Sequence, residues 1–212
     1  MIKVVNFPFC NFHSLERYLR VRSRSFSILN SSDCLIPSQT VLLPGVGTFG
    51  RAMAYLHQQG MTNMLKTHAD SGGKFLGICL GMQLLFEYSE ESPEIEGLGL
   101  ISGGCQLIPA DPLFNVPHIG WNSLKLSDTS VNAFASLVDR DGYSKADFYF
   151  VHSYVVKPIQ VSVITASVDH PSGPLAAAVS AGNVVGFQFH PEKSGKAGYT
   201  LLDNVLDPTG RR

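Results

Sequence analysis

Residues 74–86, Lys-Phe-Leu-Gly-Ile-Cys-Leu-Gly-Met-Gln-Leu-Leu-Phe, limit the fold of this chain more than any other stretch. Apolar Phe75, Leu76 and Ile78 read as a buried strand that stops at Cys79. From Leu80 the apolar residues recur at helical spacing, with Leu80, Leu84 and Leu85 on one face. Gly77 and Gly81 stand two residues to either side of the cysteine. This is the arrangement of a Gly-x-Ser-x-Gly nucleophile elbow, with a thiol in place of the hydroxyl. In so tight a turn, side chains larger than hydrogen would collide beside the nucleophile. The helix N-terminus also turns unpaired N–H groups and positive partial charge toward the sulfur, which favours the reactive thiolate. A buried cysteine that merely closes a core strand is the plainer alternative.

The flanking pattern places this elbow in an α/β fold. Residues 2–7 read as a first strand and residues 14–22 as an amphipathic helix, with Leu15, Tyr18, Leu19 and Arg22 at helical spacing. Short strands follow at 26–29 and 40–43. Residues 44–47, Pro-Gly-Val-Gly, form a glycine-rich turn, and a helical stretch begins at about Thr48. Such alternation predicts a parallel sheet with helices on both faces, whose chemistry gathers at the C-terminal strand ends. Cys79 and residues 44–47 both fall there. The second half is strand-like at 98–108, 119–126, 148–156 and 161–168. A hairpin at 175–179 and 184–189 turns around residues 181–183 (Ala-Gly-Asn), and a closing helix spans about 198–206. The expected architecture is a three-layer α/β/α sandwich: a mainly parallel central sheet plus a smaller antiparallel sheet region. With no linker, repeat or composition break, residues 1–212 read as one domain.

Composition excludes several function classes. Lys and Arg total 16 against 17 Asp and Glu, so the chain lacks the positive charge that nucleic-acid binding rests on. No apolar run approaches the ~18–20 residues of a membrane span. The N-terminus has no apolar signal segment followed by a small-residue cleavage site. The four cysteines (10, 34, 79 and 105) lie far apart, without a CxxC or a Cys/His cluster. That pattern argues against a disulfide framework or a metal site, and a reducing cytoplasm is expected.

A thiol nucleophile needs a base, and the base needs an orienting group. Of seven histidines (13, 57, 68, 118, 152, 170 and 190), only His190 has a carboxylate two residues away at a strand end, in Phe-Gln-Phe-His-Pro-Glu-Lys-Ser at 187–194. Pro191 ends the ladder and lets Glu192 turn back on the imidazole. Cys79, His190 and Glu192 then form a triad by role. The oxyanion of an acyl transfer needs N–H donors. Leu80, just after the nucleophile, offers one, and Val46 or Gly47 a second, since glycine lets that backbone turn. An ordinary strand-to-helix turn is the alternative for residues 44–47.

These three stretches (44–47, 77–83 and 190–192) resemble the signatures of the class I (triad) glutamine amidotransferases. Further stretches at 117–122, 148–154 and 190–194 are similar, within that family, to the glutaminase subunits of imidazole glycerol phosphate synthase. The resemblance runs from about residue 41 to 206. It implies a glutaminase without cofactor or metal: Cys79 attacks the side-chain amide of glutamine, His190 with Glu192 moves the proton, ammonia leaves, and water releases glutamate from the thioester. It also implies that Gln83, Glu91, the backbone around Val46, Gly47 and Leu80, and residues His152, Ser153 and Tyr154 hold glutamine. The ammonia would pass to a cyclase partner of (β/α)8-barrel type in a heterodimer. That partner makes imidazole glycerol phosphate, for histidine, and an aminoimidazole carboxamide ribonucleotide.

Asn11, Trp121, Tyr149 and Lys193 match positions at the family's interface with that barrel. Trp121 equally suits a core aromatic and Lys193 an ordinary surface position. Tyr149 alternates with Phe148 and Phe150 and so takes the opposite strand face. The resemblance further implies a resting state with little activity, in which residues 44–47 present a carbonyl where an N–H is needed until the partner's ligand turns it. One loop departs from the family pattern Asp-Tyr-Gly-x-Gly-Asn-Leu-x-Ser: residues 6–14 read Asn-Phe-Pro-Phe-Cys-Asn-Phe-His-Ser. Pro8 and Cys10 replace both glycines there. The altered loop favours one alternative, a paralogous glutaminase feeding another synthase, such as a surface-sugar amidotransferase; the alternative of another class is a non-catalytic regulatory subunit, against which Cys79, His190 and Glu192 argue.

Overall fold

The computed structural model describes residues 1–10, 12–112, 114–127 and 132–207. In chain order the elements are β1 (Ile2–Val4), α1 (His13–Val21), β2 (Phe26–Ile28), β3 (Thr40–Gly45), α2 (Phe49–Gln58), α3 (Met61–Asp70), β4 (Lys74–Cys79) and α4 (Leu80–Gln83). Then come β5 (Tyr88–Ser89), β6 (Gly103–Leu107), β7 (His118–Asn122), β8 (Lys125–Leu126), β9 (Phe148–His152) and β10 (Tyr154–Pro158). β11 (Ile164–Val168), β12 (Leu175–Ala181), β13 (Val184–Phe187) and α5 (Gly195–Leu206) complete the chain.

Eight strands form the main sheet in the order β2-β1-β3-β4-β13-β12-β11-β8. The five from β2 to β13 run parallel, and β12, β11 and β8 continue antiparallel. Smaller sheets, β10-β6-β5 and β7-β9, lie outside it. Consecutive Val41, Leu42 and Leu43 on β3 are fully buried, as are Phe75, Leu76 and Ile78 on β4. Both faces of the sheet are therefore covered, as parallel sheets require. On one side α1 meets α5: the Tyr18 ring lies edge-on to Tyr199 at 5.0 Å and its hydroxyl donates to Asp203 at 3.0 Å.

Register brings the sequence signatures to one edge. Gly45 pairs with Cys79 between β3 and β4, and Phe187 pairs with Ile78 between β13 and β4. The glycine-rich turn, the cysteine and the His-Pro-Glu segment thus leave the C-terminal ends of three adjacent parallel strands.

Several boundaries differ from expectation, each for a local reason. The helical stretch after Thr48 is two helices, broken at Gly60 with φ +66°. The helix after Cys79 is only four residues long, because Leu85 N–H and Phe86 N–H reach back three residues, to Met82 and Gln83, rather than four. Within 98–108 only Gly103–Leu107 is a strand, since Leu98 and Leu100 bond to the backbone of Leu84 and Leu85 instead. Residues 148–156 divide at Ser153 into β9 and β10, which belong to different sheets. β13 ends at Phe187, so His190 sits three residues beyond the strand rather than at its tip.

Candidate active site

Cys79 closes β4 with φ +55° and ψ −112°, a conformation that non-glycine residues rarely hold and that costs about 1–3 kcal/mol. The strand–turn–helix around it leaves no space for side chains. A Cβ on Gly77 would lie 2.5 Å from the Gly81 carbonyl oxygen, and one on Gly81 would overlap the Leu43 carbonyl oxygen of β3. The glycines of the elbow are therefore required by backbone contact on both sides. The Cys79 sulfur lies 3.9 Å from the Val151 carbonyl oxygen and 3.8 Å from the Gln188 amide nitrogen.

His190 is 2 % exposed and is held at both ends. Its backbone N–H donates to the Tyr149 carbonyl at 2.8 Å, and its carbonyl accepts from the Ser194 hydroxyl at 2.7 Å. Ser194 Oγ in turn accepts from the Tyr149 N–H at 3.0 Å, which ties the His-Pro-Glu turn to β9. On the ring, Nδ1 meets Glu192 Oε1 at 2.7 Å, so Nδ1–H donates to the carboxylate. Nε2 is buried without a partner of hydrogen-bond geometry, and Cys79 and Glu192 are the groups that favour the protonated ring. Burial disfavours the imidazolium, but Cys79 and Glu192 outweigh it and push the imidazole up to about 10.

Beside the sulfur opens a pocket of about 260 Å³, lined by Val46, Gly47, Cys79, Leu80, Gln83, Glu91, Pro117, Val151, His152, Ser153 and Tyr154. That is just below the ~300–1,000 Å³ of drug-sized sites and suits a ligand of amino-acid size. All eight residues expected around the substrate line it, together with the nucleophile. The Gln83 amide nitrogen donates to the Tyr154 carbonyl and to Gln188 Oε1, both at 3.1 Å. One Glu91 oxygen accepts the Phe49 N–H at 2.6 Å, where α2 begins and its dipole favours a carboxylate.

Two groups at this site were missed from sequence. Gln188, fully buried, bridges Gln83 and Cys79; the alternation of 186–189 hid it as one more strand residue. The second is a buried histidine pair. His152 Nδ1 lies 2.8 Å from the Tyr154 carbonyl, His152 Nε2 3.1 Å from His118 Nδ1, and His118 Nε2 2.7 Å from the Asn122 amide nitrogen. The carbonyl accepts only, so the chain of donors runs from Asn122 through His118 and His152 to Tyr154, with each ring neutral and in one tautomer. Burial drives both imidazoles down, His118 to about 4 and His152 to about 3. The pair braces β7 against β9 and fixes the break at Ser153 that shapes the pocket wall.

Val46, one of the two residues expected to offer the second oxyanion donor, has its N–H directed elsewhere: it donates to Cys10 Sγ at 3.1 Å, and the Cys10 thiol donates to the Val46 carbonyl at 2.9 Å. Gly47, at φ +118°, adopts backbone that favours glycine.

Three of the expected interface residues lie together. Trp121 and Tyr149 face each other across β7 and β9, with ring centroids 5.7 Å apart, and the Lys193 ammonium stands 5.8 Å from the Tyr149 centroid. Trp121 is 55 % exposed, which removes the core alternative. Asn11 lies outside the described residues. Among the described residues no helix is long and apolar enough to cross a membrane.

Known proteins resemble this chain in sequence and fold. The family model of class-I glutamine amidotransferases matches residues 4–207. The chain is 37 % identical over 206 residues to the imidazole glycerol phosphate synthase subunit HisH of Cyanothece sp. (strain PCC 7425), covering 97 % of this chain and 95 % of that protein. It is 39 % identical over 205 residues to the HisH subunit of Synechococcus elongatus, covering 97 % and 92 %. Among solved structures, a glutamine amidotransferase superposes with a TM-score of 0.71 at 16 % identity, covering 97 % and 96 % of the two chains. PurLQS from Thermotoga maritima superposes at 0.72 and 20 % identity, covering 98 % and 97 %.

Proposed function

The chain belongs to the class-I glutamine amidotransferase family, and from that premise we propose that it is the glutaminase subunit of an imidazole glycerol phosphate synthase. It hydrolyses glutamine to glutamate and ammonia for histidine biosynthesis. The observation that carries this reading is the Cys79 elbow and the buried His190–Glu192 pair, beside a pocket of amino-acid size.

The Cys79 sulfur bonds to the side-chain carbonyl carbon of glutamine, and the carbonyl oxygen takes the displaced electron pair. The Leu80 N–H and a donor from residues 46–47 stabilise that oxyanion. As the carbonyl re-forms, the C–N bond breaks; His190 gives its Nε2 proton to the nitrogen, and ammonia leaves. Glu192, on Nδ1, keeps the ring oriented and supports its charge. Water then gives a proton to the neutral imidazole and adds to the thioester. The C–S bond breaks, and glutamate departs. Gln83, Glu91 and residues 152–154 hold the substrate; the free oxygen of Glu91 complements its ammonium group.

Ammonia passes to a cyclase subunit of (β/α)8-barrel type, in a cytoplasmic heterodimer. Trp121, Tyr149 and Lys193 face that subunit, and exposed aromatic anchors suit such a contact. Residues 1–212 act as one amidotransferase domain.

The test is glutamate release in four mixtures: the chain alone, the chain with the cyclase subunit of the same genome, and each of these with the cyclase's nucleotide ligand. Strong activation only with cyclase and nucleotide is expected. Glutaminase activity that ignores both overturns the assignment to this synthase and leaves the paralogous glutaminase, which the altered 6–14 loop favours.

A further inference from the structure

We propose that Cys10 is a positioning residue that latches the Val46 peptide in a resting orientation and thereby sets the basal rate of this glutaminase; this rests on the reading of the site given above. An acyl-transfer oxyanion needs N–H donors aimed at it. The Val46 N–H is instead spent on Cys10 Sγ, 3.1 Å away, and the same sulfur donates to the Val46 carbonyl at 2.9 Å. Because a trans peptide is planar, the Gly45 carbonyl points opposite to that N–H. Bringing the N–H to the oxyanion means turning the Gly45–Val46 peptide, which breaks its contact with the sulfur. Gly45 and Gly47 on either side make that turn accessible.

The latch is mounted firmly. Phe9 stacks on Phe7 with centroids 5.4 Å apart, meets Tyr55 of α2 edge-on at 6.4 Å, and carries the Arg51 guanidinium over its ring at 4.3 Å. These contacts hold the 6–10 segment against α2 and bring Cys10 to the strand end. Burial keeps the Cys10 thiol protonated against the effects of the Val46 amide and Arg51, so it remains a donor to the Val46 carbonyl. Cys10 does not line the substrate pocket; it lines the small cavity behind, together with Gly45, Val46, His190 and Glu192. Its influence therefore reaches the chemistry through Val46 and not through glutamine binding.

Cys10→Ala removes both contacts. It is expected to raise the kcat of the isolated chain about fivefold, equivalent to about 1 kcal/mol, with KM for glutamine unchanged. Hydrogen exchange of the Val46 amide should accelerate by a similar factor. Cys10→Ser, which keeps a donor and an acceptor, should stay near the parent in both readouts. The added activation on binding the cyclase subunit with its nucleotide should shrink in Cys10→Ala. Unchanged kcat and unchanged Val46 exchange in Cys10→Ala would overturn the latch, as would a serine variant that behaves like the alanine one. If the parent releases no glutamate even in the complex, the glutaminase reading fails, while Val46 exchange still decides whether Cys10 holds this peptide.

Discussion

Gln188 offers the sharpest test of how the pocket is built. It is fully buried, and its Oε1 takes one of the two amide hydrogens of Gln83, which is itself 5 % exposed. Gln188→Leu leaves that hydrogen without its acceptor at a buried position, at a cost of about 1–3 kcal/mol. For a chain of this size each kcal/mol moves Tm by about 2–4 °C, so a fall of roughly 2–12 °C is expected. Gln83→Leu should cost a similar amount, because it orphans Gln188 Oε1. It spares Tyr154, whose carbonyl still accepts from His152 at 2.8 Å. The double variant exchanges a polar pair for an apolar one and should be destabilised by less than the sum of the singles, with a coupling of at least about 1 kcal/mol. Guanidinium unfolding of the four proteins at pH 7.5 measures the cycle. Single-variant losses that add within about 0.5 kcal/mol would show that the two amides do not depend on each other. The bridge to Cys79 would then lose its structural basis.

Acid should weaken the fold through His118 and His152. Their folded values, about 4 and 3, lie below the ordinary 6.5. Below pH 6.5 the unfolded chain therefore binds protons that the folded chain refuses. Their contribution is whole above pH 6.5 and is lost as pH falls, by up to about 2.7 kcal/mol per unit when both count, against about half of that from His190, whose raised value works in the opposite direction; a denaturation midpoint flat between pH 7 and 5 would reject this. Gly81→Ala, which drives a methyl into the Leu43 carbonyl, should cost about 3 kcal/mol or more and abolish glutamate release. An alanine variant with parental stability would mean that the elbow is not as tight as its geometry. Trp121→Ala should leave Tm within about 1 °C, since the ring is mostly exposed. It should weaken cyclase binding about tenfold or more, and equal affinity by calorimetry would remove Trp121 from the interface.

What the chain reveals of itself follows the range of the interactions. The elbow is a local feature: five residues specify strand, turn and helix, and Gly77 and Gly81 meet the backbone as their spacing implies. His190 and Glu192 are two residues apart, and their partnership is equally readable. The parallel sheet follows from alternation, and it carries residues 44–47, Cys79 and the His190 segment to one edge. Other features depend on pairings between distant positions. Gln83 and Gln188 are 105 residues apart, and nothing in either neighbourhood singles out that contact. The His118–His152 relay spans 34 residues, and its tautomers follow from a carbonyl at a strand break that periodicity did not reveal. The 6–14 loop reads only as a departure from a pattern, because the sulfur's two contacts with Val46 exist only once β1 and β3 lie side by side.

The central claim is that Cys79 alone forms the bond to glutamine. The direct measurement is mass spectrometry of the chain, in complex with the cyclase subunit, after treatment with a glutamine-mimicking electrophile, alongside glutamate release before and after. One adduct on Cys79, with Cys10, Cys34 and Cys105 unmodified and glutamate release abolished, is the predicted result. An adduct on another cysteine, or glutamate release that survives full modification of Cys79, would contradict it.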